Sequence, residues 1–229
     1  MDKTENVKAE LAELTYQIIG RRTTREPVRF PMSKEDAVLY IEAALRAEIE
    51  LRRKTFADVP GLHEHIEKIA ELFTSPTSKY GIMLCGGVGN GKSTMMKALQ
   101  SLLIYLQIQI RHNTSFETLG MKIVSAKEFC RLIRVDSNRM LQFQDLNMLG
   151  IDDLGEEETE MMDYGNRITP LIDLLSYRYD RMLFTMVTTN LTPQQIRKVY
   201  GDRIADRFNE MMLNISYKNS SFRSPQPAT

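Results

Sequence analysis

The stretch Gly86-Gly87-Val88-Gly89-Asn90-Gly91-Lys92-Ser93 constrains the fold of this chain more than any other feature. It fits G-x-x-x-x-G-K-S/T in full, follows the apolar run Ile82-Met83-Leu84-Cys85 and opens a helical stretch. Strand, glycine loop and helix in that order is the context that gives the motif meaning. The glycines let the backbone curl so that successive amide N–H groups converge into a concave anion site. A helix beginning near Lys92 adds the positive end of its dipole. Lys92 supplies charge to β- and γ-phosphates, and Ser93 a hydroxyl to Mg²⁺. These residues predict a nucleoside-triphosphate site, ATP with Mg²⁺, running from Gly86 to Thr94.

Beyond Tyr80, short apolar runs alternate with helical stretches, the pattern of an α/β domain with a parallel sheet. Strands are expected over Gly81–Cys85, Met121–Ser125, Met148–Asp152, Leu183–Thr188 and Leu213–Tyr217. Helices are expected over Lys92–Leu106, Ala126–Arg134, Thr169–Tyr179, Pro193–Tyr200 and Arg203–Met211. The third strand, Met148-Leu149-Gly150-Ile151-Asp152-Asp153, ends in two acids. A strand that delivers Asp152 beside the phosphate loop lets it hold Mg²⁺ directly or through water, together with Ser93. Asp153 would then face the γ-phosphate and orient the attacking water. Asn190, at the end of the fourth strand, could hydrogen-bond the γ-phosphate or that water; the plain alternative is a polar turn residue.

Upstream of this domain, Val7, Leu11, Leu14 and Ile18 repeat at helical spacing, with Gly20 as a stop. An arginine linker follows, holding Arg21, Arg22, Arg25 and Arg29 between or beside Pro27 and Pro31. A second helix begins at Ser33, carries Val38, Ile41, Leu45 and Ile49, and ends in Arg52-Arg53-Lys54. A third, after Pro60, carries Leu62, Ile66, Ile69 and Phe73. The expected organisation is a helical amino-terminal segment over 1–59, a partner-binding element, and an ATPase domain over 60–229.

Composition excludes several classes. Lysine plus arginine and aspartate plus glutamate both number 30, so a nucleic-acid surface would have to be local rather than global. Two cysteines outside any C-x-x-C pair support neither a disulfide framework nor a cysteine zinc site. Without a secretory leader or an apolar run of about 18 residues, the expected location is cytoplasmic, with no membrane partner. His63 and His65 lie two residues apart, about 200° around a helix, so they cannot chelate one ion from one face.

The ordered series of phosphate loop, Ile151-Asp152-Asp153-Leu154-Gly155-Glu156-Glu157, Thr188-Thr189-Asn190-Leu191-Thr192-Pro193 and Gly201-Asp202-Arg203-Ile204-Ala205-Asp206-Arg207 resembles the AAA+ ATPases. More closely, it resembles bacterial helicase loaders of the DnaC type and their transposon relatives of the IstB type. The resemblance covers roughly Gly81 to Arg223. It implies a P-loop NTPase fold with a five-stranded parallel sheet in the order 5-1-4-3-2, flanked by helices. It also implies Asn190 as first sensor and Arg207, with Arg203 one turn earlier, as arginine-finger candidates acting on a neighbouring subunit; a surface ion pair with Asp202 or Asp206 is the plain alternative. Implied partners are a replicative helicase and single-stranded DNA, with self-association on ATP or DNA. Three features depart from the pattern. Asp153 stands where many AAA+ proteins have Glu, with Glu157 a weaker substitute. The chain stops soon after Ser221-Phe222-Arg223, which leaves no room for a full lid domain. The amino-terminal segment matches no known recognition domain.

Some residues invite lesser readings. Met161-Met162 and Met211-Met212 are expected as core filler, and Arg111–Glu117 as a polar loop. Arg139 with Phe143 could meet single-stranded DNA by charge and stacking. The functional alternatives are an IstB-type transposition ATPase, an ATP-gated binding module with little hydrolysis, or a small-molecule kinase, which would need an acceptor lid.

Overall fold

The computed structural model describes residues 3–21, 27–57, 59–112, 115–163 and 166–222. Three helices come first: α1 (Lys3–Arg21), α2 (Lys34–Glu50) and α3 (Leu62–Thr74). Then follow β1 (Gly81–Gly86), α4 (Lys92–Leu106), the hairpin β2 (Gln109–His112) and β3 (Ser115–Thr118), β4 (Met121–Ser125), α5 (Ala126–Val135) and the short α6 (Leu141–Gln144). The chain continues through β5 (Met148–Leu154), a second hairpin of β6 (Met161–Asp163) and β7 (Asn166–Ile168), and α7 (Pro170–Asp180). It closes with β8 (Phe184–Thr189), α8 (Pro193–Met211) and β9 (Met212–Tyr217).

Five strands form one parallel sheet in the order β4-β5-β8-β1-β9. Counted by the five main strands, that is the expected 5-1-4-3-2 read from the other edge. Alternation along each strand sends neighbours to opposite layers. Ile82 and Leu84 of β1 join a core with α2, α3 and α4, while Met83 joins one with α5, α7 and α8. Parallel strands covered on both faces need apolar side chains on both, which is why these segments read as unbroken apolar runs.

Local signals explain most boundaries. Ser33 accepts from Asp36 N at the start of α2, and Thr192 and Gln195 form a reciprocal capping box at the start of α8. Gly201, at φ 85°, kinks α8 between the two helices expected there. The β2–β3 hairpin occupies the stretch expected as a polar loop, because strands this short and polar carry no apolar run to read. The β6–β7 hairpin was equally silent in the sequence.

Two expectations on side chains fail. Phe143 is buried edge-to-face against Phe129 at 5.2 Å between ring centroids, so it offers no face for a nucleobase. Met162 is 67% exposed rather than core, whereas Met211 and Met212 are buried as expected. Arg178 is fully buried. Its guanidinium donates to Thr185 Oγ1 and to the carbonyls of Phe143, Gln144, Leu146 and Phe184, tying α7 to the α6 turn and to β8.

The second helix is part of the main core. Ala37, Ile41 and Leu45 of α2 are buried there with Ile66 and Ile69 of α3 and Met95 and Leu99 of α4. Just before α2, Phe30 stacks on Phe73 at 4.5 Å and donates its backbone N–H to Phe73 O. By contrast α1 leaves Val7, Leu11 and Leu14 each about half exposed. Linker residues Arg22 and Arg25, and Arg223 with the tail beyond it, lie outside the described residues. No described helix is long and apolar enough to cross a membrane.

Candidate nucleotide-binding site

The loop between β1 and α4 takes the backbone that its glycines allow. Gly86, Gly89 and Gly91 all have positive φ, at 145°, 80° and 101°. At Gly86 a Cβ would lie 2.4 Å from Tyr217 O and 2.5 Å from Asn90 Nδ2, so no larger residue fits. Asn90 is buried and braces the loop, donating through Nδ2 to Tyr217 O. Lys92 Nζ donates to Gly86 O at 2.9 Å, Gly87 O at 2.7 Å and Asn90 Oδ1 at 3.2 Å, which holds the ammonium at the centre of the loop.

The two downstream strand ends converge on this loop. Asn190 Oδ1 accepts from Lys92 Nζ at 2.9 Å. Ser93 donates Oγ–H to Asp152 Oδ1 at 2.8 Å, and Thr188 donates to the same oxygen at 2.5 Å. Thr188 Oγ1 also accepts from Asp153 N at 2.9 Å. The β5–β8 register shifts between Ile151 and Leu154, and Asp153 has φ 56°. The irregularity re-aims the two acids: Asp152 is half-buried on Ser93, whereas Asp153 is exposed and lines the pocket. Thr188 is a site residue that sequence reasoning missed, although it stands two residues before Asn190.

Around the loop opens a pocket of about 790 Å³. Its polar side comprises the loop from Val88 to Thr94 with Asp153, Glu156 and Asn190. Its apolar side comes from Leu45 and Ile49 of α2, Val59, Leu62 of α3, and Tyr217. Arg52 and Lys54, just after α2, also line it, and Arg52 Nη1 donates to Thr94 Oγ1 at 3.3 Å. None of these residues belongs to a recognisable motif, which is why the pocket's apolar half is illegible in the sequence. At the far end of the chain, Phe222 donates its N–H to Gly89 O at 2.9 Å and covers Gly91.

The remaining expected residues lie elsewhere. Glu157 is held by Tyr200 Oη–H and Gly155 N–H rather than by the pocket, so it does not substitute for Asp153. Neither Arg203 nor Arg207 lines the pocket of its own chain. Arg203 is exposed. Arg207 is 9% exposed, paired with Asp180 at 2.9 Å and placed over the Tyr179 ring at 4.4 Å. His63 reaches Glu67 and His65 packs on Tyr217, and no cluster of potential metal ligands occurs among the described residues.

The residues present fit Mg²⁺-ATP. The Gly86 position admits no Cβ, the loop ends in a helix amino terminus with a buried lysine, and the apolar wall has room for a flat base. Mg²⁺ bound here would be held by Ser93 and Asp152, an oxygen set of the kind the ion prefers, and would neutralise phosphate charge.

No family model and no curated protein matches the chain. Among solved structures, it is similar to the crystal structure of DnaI, at 21% identity and a TM-score of 0.54 over 76% of this chain and 93% of that one. The DnaC helicase loader is similar at 16% identity and a TM-score of 0.58, over 79% and 99% respectively. The replication initiator DnaA bound to AMPPCP and single-stranded DNA matches at 17% identity and a TM-score of 0.50, over 70% and 48%. With its sheet order, its phosphate loop and these likenesses together, the chain has the P-loop NTPase fold of the AAA+ type, as the DnaI and DnaC structures do.

Proposed function

We propose that this chain is a DNA-replication ATPase that binds and hydrolyses Mg²⁺-ATP, contacts single-stranded DNA and helps to load a replicative helicase. The observation that carries the reading is the meeting of Lys92, Asn190, Ser93 and Asp152 on one phosphate loop. A single strand-to-helix turn gives binding alone. A sensor amide on the loop lysine and an acid on the loop serine give the parts needed to detect and promote cleavage of a γ-phosphate. The likeness in fold to the DnaC helicase loader, and to DnaA bound to AMPPCP and single-stranded DNA, supports the choice of process.

In this reading Lys92 and the loop amides hold the phosphates, Asp153 orients water and Asn190 senses the γ-phosphate. Of the two finger candidates, Arg203 has an exposed side chain, whereas Arg207 would have to leave Asp180 and Tyr179 before reaching a neighbouring subunit. Helix α1, with its exposed apolar stripe, is the partner element. The narrower alternative, an ATP-gated module with little hydrolysis, is favoured by the short reach of Asp153.

The test is to measure ATP turnover with and without single-stranded DNA, and capture of the host replicative helicase with and without Mg²⁺-ATP. DNA-stimulated turnover with nucleotide-dependent capture is the expected result. Tight ATP binding with neither DNA stimulation nor helicase capture would overturn the loader reading.

A further inference from the structure

We propose that the Tyr217 hydroxyl is the group that reads the nucleobase in this pocket, an inference that rests on the nucleotide-binding reading above. Tyr217 closes β9, directly beside Gly86 in the sheet register, and lines the apolar side of the pocket with Leu45, Ile49, Val59 and Leu62. Its ring passes within 4.0 Å of the position a Cβ would take on Gly91, next to Lys92. The side chain is 6% exposed, yet its hydroxyl finds no hydrogen-bond partner among the described residues.

A phenol placed so is unusual. Burying a hydroxyl unpaired is unfavourable, and phenylalanine would fill the same volume without that loss. The ring alone is accounted for by packing, since it lies against His65 at 4.6 Å between centroids. His65, which packs on this ring from outside the pocket lining, likewise has Nδ1 buried without a partner.

Small-molecule sites are commonly apolar walls with a few fixed polar groups, and this side of the pocket has that make-up. A flat heteroaromatic base entering between the aliphatic side chains, with its phosphates on the loop, would bring ring nitrogens or an exocyclic group to Tyr217. A hydroxyl can donate to the former or accept from an amino group.

The test is Tyr217→Phe in the full chain, with Mg²⁺-ATP and inorganic tripolyphosphate as separate probes, read by calorimetric titration and by thermal melting. The variant should melt unliganded at or above the wild-type temperature, because an unpaired buried hydroxyl has been removed. It should bind ATP about fivefold more weakly, the worth of one hydrogen bond, and bind tripolyphosphate as the wild type does. Equal ATP affinity in variant and wild type would overturn the base-reading role while leaving the nucleotide site intact. An equal loss for both probes would also overturn it, since the effect would then lie in the loop. A wild type that binds neither probe would instead remove the nucleotide reading itself.

Discussion

Asn190 Oδ1 accepts a 2.9 Å hydrogen bond from Lys92 Nζ, which joins the end of β8 to the centre of the phosphate loop. The amide can therefore respond to whatever the lysine holds. Asn190→Ala should leave ATP affinity within a few-fold of wild type and slow turnover by about a hundredfold, as loss of one preorganised polar group does. Single-turnover hydrolysis beside equilibrium titration separates the two; an unchanged rate would leave Asn190 as a turn residue.

The neighbouring acids should behave differently from each other. Asp152 accepts from both Ser93 and Thr188, whereas Asp153 is exposed toward the pocket. Asp152→Asn should weaken the Mg²⁺ dependence of ATP binding, and Asp153→Asn should spare binding while slowing hydrolysis. Titrations over a range of Mg²⁺ concentrations, paired with phosphate release, check both. Wild-type hydrolysis in both variants would make the pair structural.

How much of this was legible in advance varies with the kind of signal. Lys92, Asp152 and Asn190 could be placed because each follows an apolar strand, and a parallel sheet brings successive strand ends to one edge. Thr188 was hidden by its similarity to any strand threonine. Phe143 and Glu157 misled because a side chain's direction is set by packing partners remote in sequence, Phe129 and Tyr200. The α2 contribution was illegible for the same reason: helical spacing showed that Ile41 and Leu45 must be covered, but not that α4 covers them.

That packing alters where the amino-terminal element can be cut. Phe30 is buried on Phe73, so removing residues through position 32 would strip the core. Removing residues 1–26 should preserve the melting temperature and ATP binding but abolish helicase capture, since α1 leaves its apolar stripe exposed. Equal capture by both forms would refute the partner role of α1.

Arg178 should matter for stability rather than chemistry. Arg178→Ala removes donors from Thr185 and four backbone carbonyls in a fully buried place. A loss of about 3 kcal/mol or more in denaturant unfolding is expected, with Arg178→Lys only partly restoring it because an ammonium lacks the planar fork. A loss under about 1 kcal/mol would contradict the bracing role.

The finger question can be settled by mixing. Lys92→Ala protein keeps its arginines but cannot hold ATP, and Arg203→Ala/Arg207→Ala protein holds ATP without a finger. Combined at associating concentrations with single-stranded DNA, they should recover part of the turnover that each lacks. No recovery while association is independently observed would count against action between subunits.

The central claim, that the loop from Gly86 to Thr94 holds Mg²⁺-ATP, is tested most directly by titrating a fluorescent ATP analogue into wild-type and Lys92→Ala protein of equal thermal stability. Saturable, Mg²⁺-dependent binding that the substitution abolishes or weakens at least a hundredfold is the predicted result. The same affinity in both proteins would contradict it.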